Sequence, residues 1–158
     1  MNENKKSIEQ SLEENIQMLQ INAYEDFFFK KDKKLSSTKA IIAQIYINLE
    51  KILHFGILIL FLKQRYNQEL WDLFEDEILM PLNITKKISI IKKSNKFDNK
   101  IIEKAYKISN IRNDLLHFKK TEPKYNGKNI ENNPEIIKSI FNDFVEVNNH
   151  IVSVCQNL

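Results

Sequence analysis

A chain of 158 residues is the length of one domain around one core, and a hydrophobic share of 42%, with 10 Phe and 5 Tyr, is enough to fill that core. Only 2 Gly and 3 Pro leave too few turn formers for an all-β fold, and the lone Cys155 excludes an internal disulfide. The formal charge of +3, from 24 basic and 21 acidic residues, is that of a soluble surface more than of a strong polyanion binder.

The expected fold is all-α, a single-domain antiparallel helical bundle of about five to six helices. An N-terminal helix and basic loop take residues 1–35, and the core of the bundle takes residues 36–158. Met1 to Lys6 carry no signal-peptide pattern, so the expected compartment is a reducing cytoplasm. Ile8, Leu12, Ile16, Leu19 and Ala23 recur at helical spacing behind a capping box at Ser7 and Gln10, which predicts a first helix running to about Phe29. Lys30-Lys31-Asp32-Lys33-Lys34 form a charged loop, and Ser36-Ser37-Thr38 start a long second helix. Ala40 to Leu62 is strongly apolar, but Gln44, Asn48, Glu50, Lys51 and His54 leave an uninterrupted run too short for a membrane span. A central buried helix is predicted instead, with spare apolar positions for a dimer interface. Trp71, Phe74 and Ile78 mark a short third segment that Pro81 ends. Ile84 to Lys93 predicts a fourth helix with Ile88 and Ile91 on one side and lysines on the other. Asp98 can cap the fifth, whose apolar stripe is Ile101, Ala105, Ile108 and Leu115, with Arg112 at its flank. Thr121 to Asn133, with Pro123 and Gly127, is a loop, and Asn133-Pro134-Glu135 starts the last helix, which buries Ile136, Ile140, Phe144, Val147 and Ile151.

The candidate site lies at Ile111-Arg112-Asn113-Asp114-Leu115-Leu116-His117-Phe118. It joins a permanent cation to the side chain best suited to moving protons near neutral pH. Asn113 and His117 are i and i+4 and share a helix face, so the amide can orient the imidazole or a bound phosphate. Arg112 lies about 140° round the helix from His117, so one straight helix does not aim both at one atom. Two copies across a two-fold axis would. The structural alternative has Arg112 paired with Asp114 or an acid on a neighbouring helix, and His117 resting on the C-terminal helix dipole. Lys119, Lys120, Lys124 and Lys128 follow, placed either to track a phosphate backbone or to solvate a loop. Glu69, Asp72, Glu75, Asp76 and Glu77 crowd one segment without a histidine, which predicts a solvated acidic face over a divalent-metal site. His54 reads as a satisfied core or interface histidine, His150 as an exposed one and Cys155 as a structural thiol. The chain has no Gly-rich phosphate loop, and neither metal nor cofactor is expected.

Over Ile108 to Phe118 the chain resembles the HEPN superfamily, helical bundles of which many are metal-independent ribonucleases. Their pattern is an Arg, a polar residue next to it and a His four to six residues after the Arg, matched here by Arg112, Asn113 and His117 in an Arg-Asn-x3-His arrangement. The order of helices extends the resemblance over roughly Ser36 to Leu158, late placement of the motif included. The resemblance implies an HEPN-like core and an endoribonuclease of a toxin-antitoxin or phage-defence system. Such an enzyme would act as a homodimer on RNA, with an antitoxin or other defence protein as a further partner and no membrane. Arg112, Asn113 and His117 are then the catalytic set, and Lys119, Lys120 and Lys124 the RNA-binding one. Some HEPN toxins carry a tyrosine two residues past the histidine that a partner modifies; Lys119 stands there in this chain. Leu70 to Phe118 is also similar to the mannitol operon repressor family, which implies the alternative of a non-catalytic helical regulator or interaction module.

Overall fold

The computed structural model describes residues 38–63, 67–116, 123–130 and 133–158. The first helix and basic loop expected before Thr38 lie outside the described residues. The described chain is all-α apart from one short hairpin. Helix α1 spans Thr38–Leu62, and α2 spans Gln68–Leu73 and continues directly as a π-helical segment, Phe74–Leu79. Helix α3 spans Ile84–Lys93, α4 Asn99–Leu116, and α5 Pro134–Asn157. Between the last two, β1 (Lys124–Tyr125) pairs antiparallel with β2 (Lys128–Asn129).

The caps follow from sequence. Asn83 and Asn133 sit in extended conformation and accept from the backbone N–H of Lys86 and Ile136, starting α3 and α5, with Pro134 in the first turn of α5. The Asp98 carboxylate accepts from Lys100 N–H at 2.7 Å and starts α4. The N–H of Asp98 in turn donates to Nε2 of His150 at 3.0 Å. His150 is therefore half-buried and fastens the start of α4 to α5, where an exposed side chain was expected.

Helix α1 is the centre of the bundle and packs against α3, α4 and α5. By length and composition Ile41–Leu62 is enough to cross a membrane despite its polar interruptions, and 67% of that window is buried inside the protein. Ile42, Leu49, Ile52, Leu53 and Ile57 meet Ile88 and Ile91 of α3, Ile108 of α4, and Ile140, Phe144, Val147 and Ile151 of α5 in one core. Gly56 permits a close approach. A Cβ there would stand 3.0 Å from Cγ2 of Ile151 and 3.3 Å from Cδ1 of Ile91, so its absence lets α5 and α3 press onto α1. Phe144 is 1% exposed in the middle of this core. Phe144→Ala should lower the unfolding free energy by about 3–5 kcal/mol, read from urea titrations at constant m-value.

The third segment departs from expectation. Spacing of Trp71, Phe74 and Ile78 puts all three inside an α-helix, yet Ile78 is 49% exposed and Leu79 is fully buried. The π turn is the reason: it inserts one residue per turn, so the position facing the core after Trp71 moves from the seventh residue to the eighth. On α3 the lysines do not all face outward. Lys87 is 2% exposed, its ammonium 2.9 Å from the Glu50 carboxylate of α1.

The hairpin falls inside the stretch expected to be loop. Asn126 and Gly127 take φ of 50° and 79°, the pair of positive values that a two-residue type I′ turn requires. Tyr125 is buried and donates its hydroxyl to Asp143 of α5. Lys104 of α4 bridges Asp143 at 2.7 Å and Glu146 at 2.5 Å. Burial, then the bond to Asp143, pushes the Tyr125 phenol well above its ordinary range, so it remains a donor.

Candidate functional site

Arg112 lies on the last part of α4, facing α1. Its guanidinium carbon sits 4.9 Å from the ring centroid of Tyr46, a cation–π distance, and Nη1 donates to Oδ1 of Asn113 at 3.4 Å. Among the described residues no carboxylate pairs with Arg112. The arginine is half-buried and spread on an aromatic face, which holds its fork of donors in place. The Tyr46 phenol is raised by burial, with Glu50 adding and Arg112 opposing, and stays neutral.

The described part of α4 ends at Leu116, one residue before His117. His117, Lys119 and Lys120 lie outside the described residues, and with them the shared face of Asn113 and His117. Lys124 and Lys128 are both exposed on the hairpin. That hairpin is fixed to the bundle through Tyr125 and Asp143, and β1 packs against α4. The two lysines therefore stand on a fixed platform and not on a free loop.

Sequence reading did not anticipate the stripe on α1 that meets Arg112. Tyr46, Glu50 and His54 are i, i+4 and i+8 and share one face of the helix. Along that face Tyr46 carries Arg112, Glu50 carries Lys87, and Nε2 of His54 lies 3.5 Å from Glu75 of the π segment. The signal was present as three polar positions at four-residue spacing. Their partners come from α4, α3 and the π segment, which spacing on one helix does not reveal. Tyr46 and His54 are two turns apart, about 12 Å along the axis, so the His54 imidazole does not share one small site with Arg112.

His54 is half-buried, and the satisfied core histidine expected from sequence is not what is found, since its Nε2 has no hydrogen-bond partner among the described residues. Burial, then the Lys87 charge, pulls its pKa below the ordinary 6.5, with Glu75 and Glu50 opposing. A folded pKa below the unfolded one means that unfolding takes up protons. The stability held by neutral His54 is complete above pH 6.5 and is lost as pH falls through the folded value. The melting temperature should drop on acidification from about pH 7 to about pH 5, and His54→Leu should flatten that part of the curve in thermal scans. An unchanged slope would place the acid sensitivity elsewhere.

No family model matches the chain, and neither a curated protein nor a solved structure does.

Proposed function

We propose that the protein is a metal-independent endoribonuclease of HEPN type, a toxin or phage-defence effector of the cytoplasm that cleaves RNA at a site composed by two copies of the chain. The observation that carries this reading is the state of Arg112. A structural arginine at a helix flank is expected to be neutralised by a carboxylate, whereas this one rests on Tyr46 beside the Asn113 amide and pairs with no acid among the described residues. In a chain with 2 Arg and 22 Lys among its 24 basic residues, planar geometry at this position is a specific choice.

The chemistry uses the nucleophile already in RNA. The 2′-oxygen forms a bond to phosphorus as its proton passes to a base, and the bond from phosphorus to the 5′-oxygen breaks as that oxygen receives a proton. The products are a 2′,3′-cyclic phosphate and a free 5′-hydroxyl. His117 moves the proton, Arg112 holds the non-bridging oxygens as charge builds on them, and Asn113 positions the imidazole or the substrate. Lys119, Lys120 and Lys124 lead the strand, of which Lys124 stands on the fixed hairpin. A second copy supplies the histidine that the angle on one helix withholds. Exposed Ile47, next to Tyr46 on α1, offers apolar surface near the same place for that copy to cover.

The test is incubation of the purified protein with labelled single-stranded RNA in excess chelator. Undiminished cleavage is expected, and a strict requirement for added divalent metal would remove the proposal.

A further inference from the structure

Between Asn67 and Asn83 there is no lysine or arginine, although the chain has 24 of them. The same stretch holds Glu69, Asp72, Glu75, Asp76 and Glu77, and all but Glu75 are exposed. It is also where apolar side chains come to the surface. Seven large hydrophobics are exposed among the described residues, and five of them lie on this stretch or against it: Phe61, Leu70, Leu73, Ile78 and Met80. The cause is visible in the backbone. Trp71, Phe74 and Leu79 hold the segment to the bundle, Phe74 against Phe61 with ring centroids 5.8 Å apart, and the π turn rotates Ile78 outward. The segment thus gives Trp71, Phe74 and Leu79 to the core and leaves Leu70, Leu73, Ile78 and Met80 exposed among its acids. Scattered surface hydrophobics are ordinary, but a concentration of this kind on one short element marks a contact surface.

We propose that this face docks a cationic amphipathic helix of a partner protein. Its apolar side covers Phe61, Leu73, Ile78 and Met80, and its lysines or arginines pair with Glu69, Asp72, Asp76 and Glu77. Charge selects that occupant. A second copy of the chain placed across a two-fold axis would bring acids against acids, and nucleic acid or an anionic bilayer would meet the same repulsion. A basic helix satisfies both halves of the surface at once, its apolar stripe giving affinity and its cations giving orientation. Among the described residues no lysine, arginine or histidine forms an ion pair with Glu69, Asp72, Asp76 or Glu77, and Asp72 accepts only from the neutral Gln68 amide at 2.7 Å, which leaves its charge uncompensated there.

The experiment titrates the full chain into a fluorescent synthetic helix of about 18 residues with leucines on one face and lysines on the other, followed by anisotropy. A matched peptide with glutamate in place of lysine is the charge control. Saturable binding to the lysine peptide alone is expected. Asp72→Lys with Asp76→Lys should weaken it about tenfold, and Leu73→Ser with Met80→Ser about tenfold as well, while Glu103→Gln on exposed α4 should change nothing. All these positions are solvent-exposed, and circular dichroism melts confirm that each variant is folded. Three results would overturn the proposal. They are absence of saturable binding, a response to the charge variants without one to the apolar variants, and sedimentation showing that the apolar variants turn a self-associated chain into a monomer.

Discussion

Replacing His117 by alanine should lower RNA cleavage by about 10²- to 10⁴-fold while leaving RNA affinity nearly unchanged. Proton transfer in this reaction is confined to two oxygens, and an imidazole is the only side chain near the motif that changes protonation close to neutral pH without a shift. Loss of a proton-transfer group acts on the bond-making step and not on the charge that attracts the strand. Single-turnover cleavage at saturating protein separates the two. Added free imidazole should restore part of the lost rate in His117→Ala, an effect that no loss of folding would permit. Wild-type rates in the variant would mean that the histidine is a helix-end residue and nothing more.

Arg112→Lys should lower cleavage by about 10²- to 10³-fold, although the charge is kept. The ammonium of lysine is a point donor. It does not spread over the ring of Tyr46, and it does not hold two phosphate oxygens in one plane. Binding should weaken far less than turnover, because the electrostatic attraction to the strand is retained. Tyr46→Phe, which preserves the aromatic seat, should remain active, and Tyr46→Leu should resemble Arg112→Lys. If Arg112 instead fastens α4 to α1 as a structural element, Arg112→Lys and Tyr46→Leu will lower the melting temperature together, and no RNA will be cleaved by any form. That result favours the non-catalytic regulator.

What could be read from the chain was whatever is local. The bounds of α3 at Ile84–Lys93, the start of α5 at Asn133-Pro134 and the buried row from Ile136 to Ile151 all follow from caps and spacing within one helix. What escaped was whatever depends on a partner distant in sequence. Lys87 resembles its neighbours Lys86 and Lys92 in the sequence, and only the approach of Glu50, 37 positions earlier, explains its burial. His150 reads as an exposed residue of the last helix, and only the N–H of Asp98, 52 positions away, explains its place against the bundle. The π turn escaped for a different reason. A one-residue shift of phase leaves the composition of the segment untouched and changes only whether Ile78 or Leu79 faces inward.

The site was half legible in the same sense. Arg112 and Asn113 could be chosen by type and spacing, and the structure adds the contact between Nη1 of the one and Oδ1 of the other. Tyr46 could not, since an aromatic on a core helix reads as packing until the arginine is seen on its face. The acidic stretch was visible as charge. That it also carries exposed Leu73, Ile78 and Met80 required the turn geometry.

The central claim concerns which oxygen attacks phosphorus, and the chemistry of the broken ends decides it. Fragments made by the purified protein should be analysed by mass spectrometry for the groups at each new terminus. A 2′,3′-cyclic phosphate upstream and a 5′-hydroxyl downstream are predicted, and a 2′-deoxy substitution at the cleaved position should leave the strand whole. A 5′-phosphate on the downstream fragment, or cutting of the 2′-deoxy strand, would contradict the account.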